Sequence, residues 1–116
     1  MLERLKAIYR QYEELLQRLE LPETYSDSAL YARVEREARE LQPVAEAYAA
    51  YARACGDLEA AQALLSDPEM RELAQEELQA AKAERERLER ELRILLLPKD
   101  PNDSKNVIME IRGGLQ

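Results

Sequence analysis

The sequence predicts an all-α fold, an elongated antiparallel three-helix bundle of coiled-coil type with an extended C-terminal tail. Three observations point there. Leu, Ala, Glu, Arg and Lys supply 72 of the 116 residues, a composition that marks long helices and coiled coils. Apolar residues recur at alternating spacings of three and four over three segments, the period of one helical face. Four of the five prolines, Pro22, Pro68, Pro98 and Pro101, fall between or beyond those segments.

The first helix is read from Leu2, Leu5, Tyr9, Tyr12, Leu16 and Leu19, with Ile8 and Leu15 widening the stripe. A stripe that wide suits a helix that packs against more than one neighbour. Leu21-Pro22-Glu23-Thr24-Tyr25 ends it, and Ser26, Asp27 and Ser28 offer N-cap oxygens to the next helix. The second helix carries a seam at Val34, Ala38, Leu41, Ala45, Tyr48, Ala52 and Cys55. Its small residues allow two helices to approach closely. Pro43 lies off that seam, and a proline inside a helix costs about 3 kcal/mol. Because the seam keeps its register across Pro43, the expectation is a helix kinked there rather than one that stops and restarts. Leu58, Ala61 and Leu65 continue in a shifted frame.

Ser66-Asp67-Pro68-Glu69 has the spacing of a capping box and predicts the start of the third helix. Its seam reads Ala74, Leu78, Ala81, Arg85, Leu88, Leu92 and Leu95, with Arg85 the one charged member. The aliphatic stem of an arginine can pack in such a place while the guanidinium reaches water. Glu86–Arg90 and Glu89–Arg93 stand four residues apart in the favourable order. Leu95-Leu96-Leu97-Pro98 ends the helix. Beyond it the character changes, for Pro101-Asn102-Asp103-Ser104 forms a turn signal and Val107-Ile108-Met109-Glu110-Ile111 a strand-like run. A lone strand cannot satisfy its own backbone groups. The expected organisation is therefore a helical domain over 1–97, a linker over 98–106, and over 107–116 the truncated start of a β-containing second domain.

The inventory of side chains excludes much chemistry. With no His and one Cys, the chain has no Ser-His-Asp triad, Cys-His pair, His-based metal site or internal disulfide. Glu69, Glu72 and Glu76 fall at helical spacing, and a solvated face accounts for them better than a metal centre. Cys55 is placed as a small seam residue, and the six tyrosines as core and rim packing. Gly113-Gly114 lacks the following helix of a phosphate loop. No catalytic, cofactor-binding or metal-binding residue is assigned, and no enzyme is expected. The net charge of −7, concentrated between residues 21 and 97, has the wrong sign for phosphate contacts, so direct nucleic-acid binding is not expected. No apolar run of membrane-spanning length and no targeting segment is seen, so the expected location is the cytoplasm.

Two stretches carry a family resemblance. Leu95-Leu96-Leu97-Pro98-Lys99-Asp100-Pro101-Asn102-Asp103, followed by Asn106-Val107-Ile108-Met109-Glu110-Ile111-Arg112, resembles the junction between the first and second domains of the bacterial peptide chain release factor 1 family. Ser66-Asp67-Pro68-Glu69-Met70-Arg71-Glu72-Leu73-Ala74 resembles the start of the last helix in that family's first domain. The order of segments agrees from Met1 to Arg112. After Arg112 the family continues into a glycine-rich stretch, whereas here Gly113-Gly114-Leu115-Gln116 follows. The family's Gly-Gly-Gln for hydrolysis lies in a later domain, and its role is not carried to these residues.

The resemblance implies a fragment of a factor that directs termination at UAA and UAG. The chain would be its N-terminal domain, contacting the ribosomal stalk-base protein and the class II release factor GTPase, without decoding or hydrolysis motifs. It implies no cofactor and no membrane, and a monomer rather than an obligate oligomer. The alternative is a stand-alone helical coiled-coil scaffold or homo-oligomerisation module built on the three seams.

Overall fold

The computed structural model describes residues 1–98. Four helices follow one another, α1 (Leu2–Leu19), α2 (Pro22–Tyr25), α3 (Ser28–Leu64) and α4 (Arg71–Leu95). The all-α class and the elongation agree with the sequence. The radius of gyration is 20.2 Å, where a compact domain of this length would have about 13 Å. At 1.5 Å per residue the 37 residues of α3 run about 56 Å, close to the 58 Å long dimension of the molecule. One helix sets the length.

The three long helices are those the periodicity predicts, and α2 is additional. Leu21 is extended, as a residue before proline prefers, and Pro22 takes the first helical position, where its missing N–H is no loss. A segment read only as a terminator thus makes a turn of its own. Asp27 caps α3 as expected, its Oδ1 accepting from the Leu30 N–H at 3.2 Å. The helix then continues unbroken through Pro43.

The start of α4 differs from the capping-box expectation. Ser66 Oγ donates back to the Ala63 carbonyl at 3.5 Å, and Asp67 Oδ1 accepts from the Glu69 N–H at 3.0 Å. The Met70 N–H donates to the Asp67 carbonyl at 3.0 Å, and Arg71 Nε to the Leu65 carbonyl at 3.1 Å. These bonds close a tight turn over residues 65–70, so the helix begins at Arg71 with no side-chain cap. Asp and Ser beside a proline serve the turn here instead of the helix end.

Packing is pairwise along α3. Near its first half, Leu15 of α1 buries against Val34 and Ala38, flanked by Tyr12, Leu19, Leu30 and Leu41. Farther along, Leu5 of α1 and Leu92 of α4 meet over Ala47, with Val44, Tyr48, Tyr51 and Leu96 around them. The second half of α3 buries Ala54, Leu58 and Ala61, and α4 buries Ala74, Ala81 and Leu88. Both α1 and α4 therefore run antiparallel to α3, one on each half, and all three meet at a single cluster. Among the described residues the backbones of α1 and α4 make no close approach to each other.

This arrangement explains the two frames of α3. Val34, Ala38, Leu41, Ala45 and Tyr48 form one stripe, whose Val34, Ala38, Leu41 and Tyr48 pack with α1. Ala47, Tyr51, Ala54, Leu58 and Ala61 form a second on the α4 side, with Ala47 shared between Leu5 of α1 and Leu92 of α4. The two stripes are offset by one residue, about 100° around the helix. Ala52, assigned to the first seam, is consequently exposed, and Cys55 is only half-buried. Leu2 and Leu16 are likewise more exposed than their stripe suggests, at 45% and 40%. On α4 the expected seam is buried or half-buried from Ala74 through Leu92, and only Leu95 escapes it. The residues after Pro98, with the expected linker and strand-like run, lie outside the described residues.

Candidate interaction surface

Two grooves open between the helices. The larger, about 530 Å³, runs between α3 and α4. Ala50, Ala54 and Ala60 of α3 and Ala80 and Ala81 of α4 form its floor, with Arg53, Asp57, Glu77 and Glu84 on its rim. The smaller, about 290 Å³, lies between Tyr12, Leu16 and Leu19 of α1 and Glu35, Ala38, Arg39 and Gln42 of α3. Alanines line the first because helices separated by methyl groups come close and leave little side-chain bulk outside the seam. Ala50, Ala60 and Ala80 lie off the apolar stripes, so the seams read from sequence do not include them. Their signal was the number of alanines beyond what one stripe needs.

The rims are salt-laced helical faces. Arg87 donates from Nη2 to Glu84 Oε2 at 2.7 Å and reaches Glu91 at 3.4 Å from Nη1. The hydrogen bond from Arg87 holds the Glu84 carboxyl below its ordinary pKa. Arg39 pairs with Glu35 at 3.4 Å and Arg93 with Glu89 at 3.9 Å. Of the two pairs expected from sequence, Glu89–Arg93 forms, whereas Glu86–Arg90 is absent among the ion pairs of the described residues. Pairs this exposed add little stability.

Arg85 is the discord in the seam. It is half-buried, and its Nε is buried with no hydrogen-bond partner. The Tyr51 hydroxyl pKa is raised by burial and next by Cys55, and the Arg85 charge works against that rise. An unsatisfied buried donor costs about 1–3 kcal/mol, and an apolar replacement of similar shape removes that cost. Arg85→Met is expected to raise stability by about 1 kcal/mol, read from the urea midpoint at constant slope. A lowered midpoint would show instead that the guanidinium head holds the seam together.

The acidic residues singled out in the sequence lie on the surface, and the tyrosines divide between packing and surface. Glu69, Glu72 and Glu76 are exposed, and no group of three potential metal ligands occurs among the described residues. Tyr9 and Tyr48 pack as a tilted ring pair with centroids 5.8 Å apart, and Tyr25 is 58% exposed. The charge of Glu13 is the largest cause of a raised Tyr9 pKa. No helix among the described residues is long and apolar enough to cross a membrane. Gly113-Gly114-Leu115-Gln116 lies outside the described residues.

Comparison with known proteins supplies what the geometry alone does not. Residues 8–115 match the PCRF domain family. Peptide chain release factor 1 of Agathobacter rectalis is 44% identical over 117 aligned residues, covering 98% of this chain and 33% of that protein. The protein of the same name from Leuconostoc citreum is 45% identical over 109 residues, 94% of this chain and 30% of its own length. That of Caldicellulosiruptor saccharolyticus is 44% identical over 117 residues, again 98% and 33%. The chain thus spans about a third of the length of the curated relatives it matches. No solved structure matches it.

Proposed function

The chain belongs to the PCRF domain family, and from that premise we propose that it is part of a peptide chain release factor directing translation termination at UAA and UAG. The observation that carries this is identity of 44–45% to release factor 1 proteins over nearly the whole chain. Residues 1–97 are its N-terminal helical domain, 98–106 a linker, and 107–116 the start of a β-containing second domain. This domain meets the ribosomal stalk-base protein and the class II release factor GTPase in the cytoplasm, as a monomer. Decoding and hydrolysis belong to parts of the factor that this chain does not span.

Side-chain chemistry supports that division of labour. The described residues offer charged helical faces and shallow grooves between helices, surfaces suited to other proteins. An acidic surface is repelled by ribosomal RNA and attracted to basic ribosomal protein.

The test is competition on the ribosome. Added in excess to ribosomes programmed with UAA, the chain should release no peptide itself. It should slow release by an intact release factor 1, measured as free formyl-methionine. Release by the chain alone would overturn the non-catalytic reading. An undiminished rate at saturating chain would remove the stalk-base contact.

A further inference from the structure

α3 contains one turn that cannot be completed from within. Pro43 has no N–H, so the Arg39 carbonyl lacks its intrahelical donor, and the pyrrolidine ring crowds the turn before it. Such turns are where helices bend. The partners of α3 treat the two sides of this turn differently. The cluster shared with α4 begins at Val44, after the proline, and Leu96 at the end of α4 is its last contributor. Before the proline, Val34 and Ala38 bury against Leu15 of α1, in a cluster to which α4 contributes no residue.

Only α1 grips both sides. Leu15 is anchored on Val34 and Ala38 before Pro43, and Leu5 on Ala47 and Val44 after it. The two anchors stand ten positions apart, about 15 Å of continuous helix. The Tyr9–Tyr48 ring pair adds a contact after the proline. Beside the α1–α3 groove Gln42 Nε2 donates to Glu46 Oε2 at 2.9 Å, a side-chain bridge across the same turn.

We propose that α1 is a splint across Pro43, and that lifting α1 turns Arg39–Pro43 into a hinge. The arm Ser28–Gln42 then swings against the α3–α4 pair, which stays rigid through its own seam. The splint rests on two fully engaged side chains, Leu5 and Leu15, so a partner competing for the α1 stripe would release it. This mechanism does not depend on which partner the domain meets.

Electron–electron distance measurement on the whole chain decides it. Nitroxides are placed at the exposed positions Arg33 and Glu59, on either side of Pro43, with Cys55 replaced by Ala. Twenty-six residues of helix separate them, about 39 Å. The parent should give one narrow distance distribution. Leu15→Ala should broaden it several-fold toward shorter distances, and Pro43→Ala added to Leu15→Ala should restore the narrow form. Leu15→Val is run in parallel because it thins the same anchor and retains the fold, with helix content followed by circular dichroism. Distributions that stay narrow in both Leu15 variants would overturn the splint. Broadening that persists with Pro43→Ala would assign the effect to general fraying and overturn the hinge.

Discussion

Leu92→Ala is expected to destabilise the domain by about 3 kcal/mol, within the 2–5 kcal/mol typical of a fully buried leucine. Leu92 is 0% exposed and is the α4 member of the one cluster where α1, α3 and α4 meet. Removing it takes away transfer energy and leaves a cavity that Leu5 and Ala47 can close only by drawing the helices together. Small domains have total stabilities of about 5–15 kcal/mol, so the loss is a large share. It should also weaken coupling, because the α1–α3 and α3–α4 pairs have little else in common. Urea unfolding followed by circular dichroism should show a lower midpoint and a shallower slope than the parent. Leu97→Ala, at a position 65% exposed, provides the control and should stay within about 0.5 kcal/mol. Equal effects at the two positions would mean that the three-helix cluster does not carry the fold.

The long helices were legible in the sequence because each has a stripe of its own, and the α4 seam transferred to the structure almost residue for residue. α3 was harder for a physical reason. It serves two partners on faces about 100° apart, so a single seam drawn through it must leave one partner and miss the other. The departure comes at Tyr48, after which Ala52 faces water while Tyr51 and Ala54 turn inward. Helix ends were harder still, since Pro22 and Pro68 look alike as punctuation. Pro22 opens a helical turn of four residues, whereas Pro68 sits in the non-helical connection before α4. Which of the two a proline does depends on where the neighbouring N–H groups find acceptors, and that is decided in three dimensions. The larger groove was legible only as a surplus of alanines, because off-seam residues such as Ala50 and Ala80 carry no periodic signal.

The composition of the core leads to the second large effect. Five of the eight buried apolar residues along α3 and α4 that form their seam, Ala47, Ala54, Ala61, Ala74 and Ala81, are alanines, so the seam gains from close approach more than from the bulk of each side chain. Ala74 is 0% exposed near the turn joining the two helices, and Ala61 on α3 is 1% exposed at the same end of the pair. A leucine at Ala74 must fit inside a seam closed to solvent, and the turn over residues 65–70 is pinned by Asp67 and Arg71, so the helices cannot separate there freely. Ala74→Leu is therefore expected to cost about 1–3 kcal/mol despite adding apolar surface. Ala83→Leu, on an exposed position of the same helix, should be nearly neutral, since the two residues have similar helix propensity. The pair separates packing from hydrophobicity, because both variants add the same side chain. If Ala74→Leu raised the urea midpoint, the α3–α4 seam would have to contain unfilled space, and the close approach inferred from its alanines would be wrong.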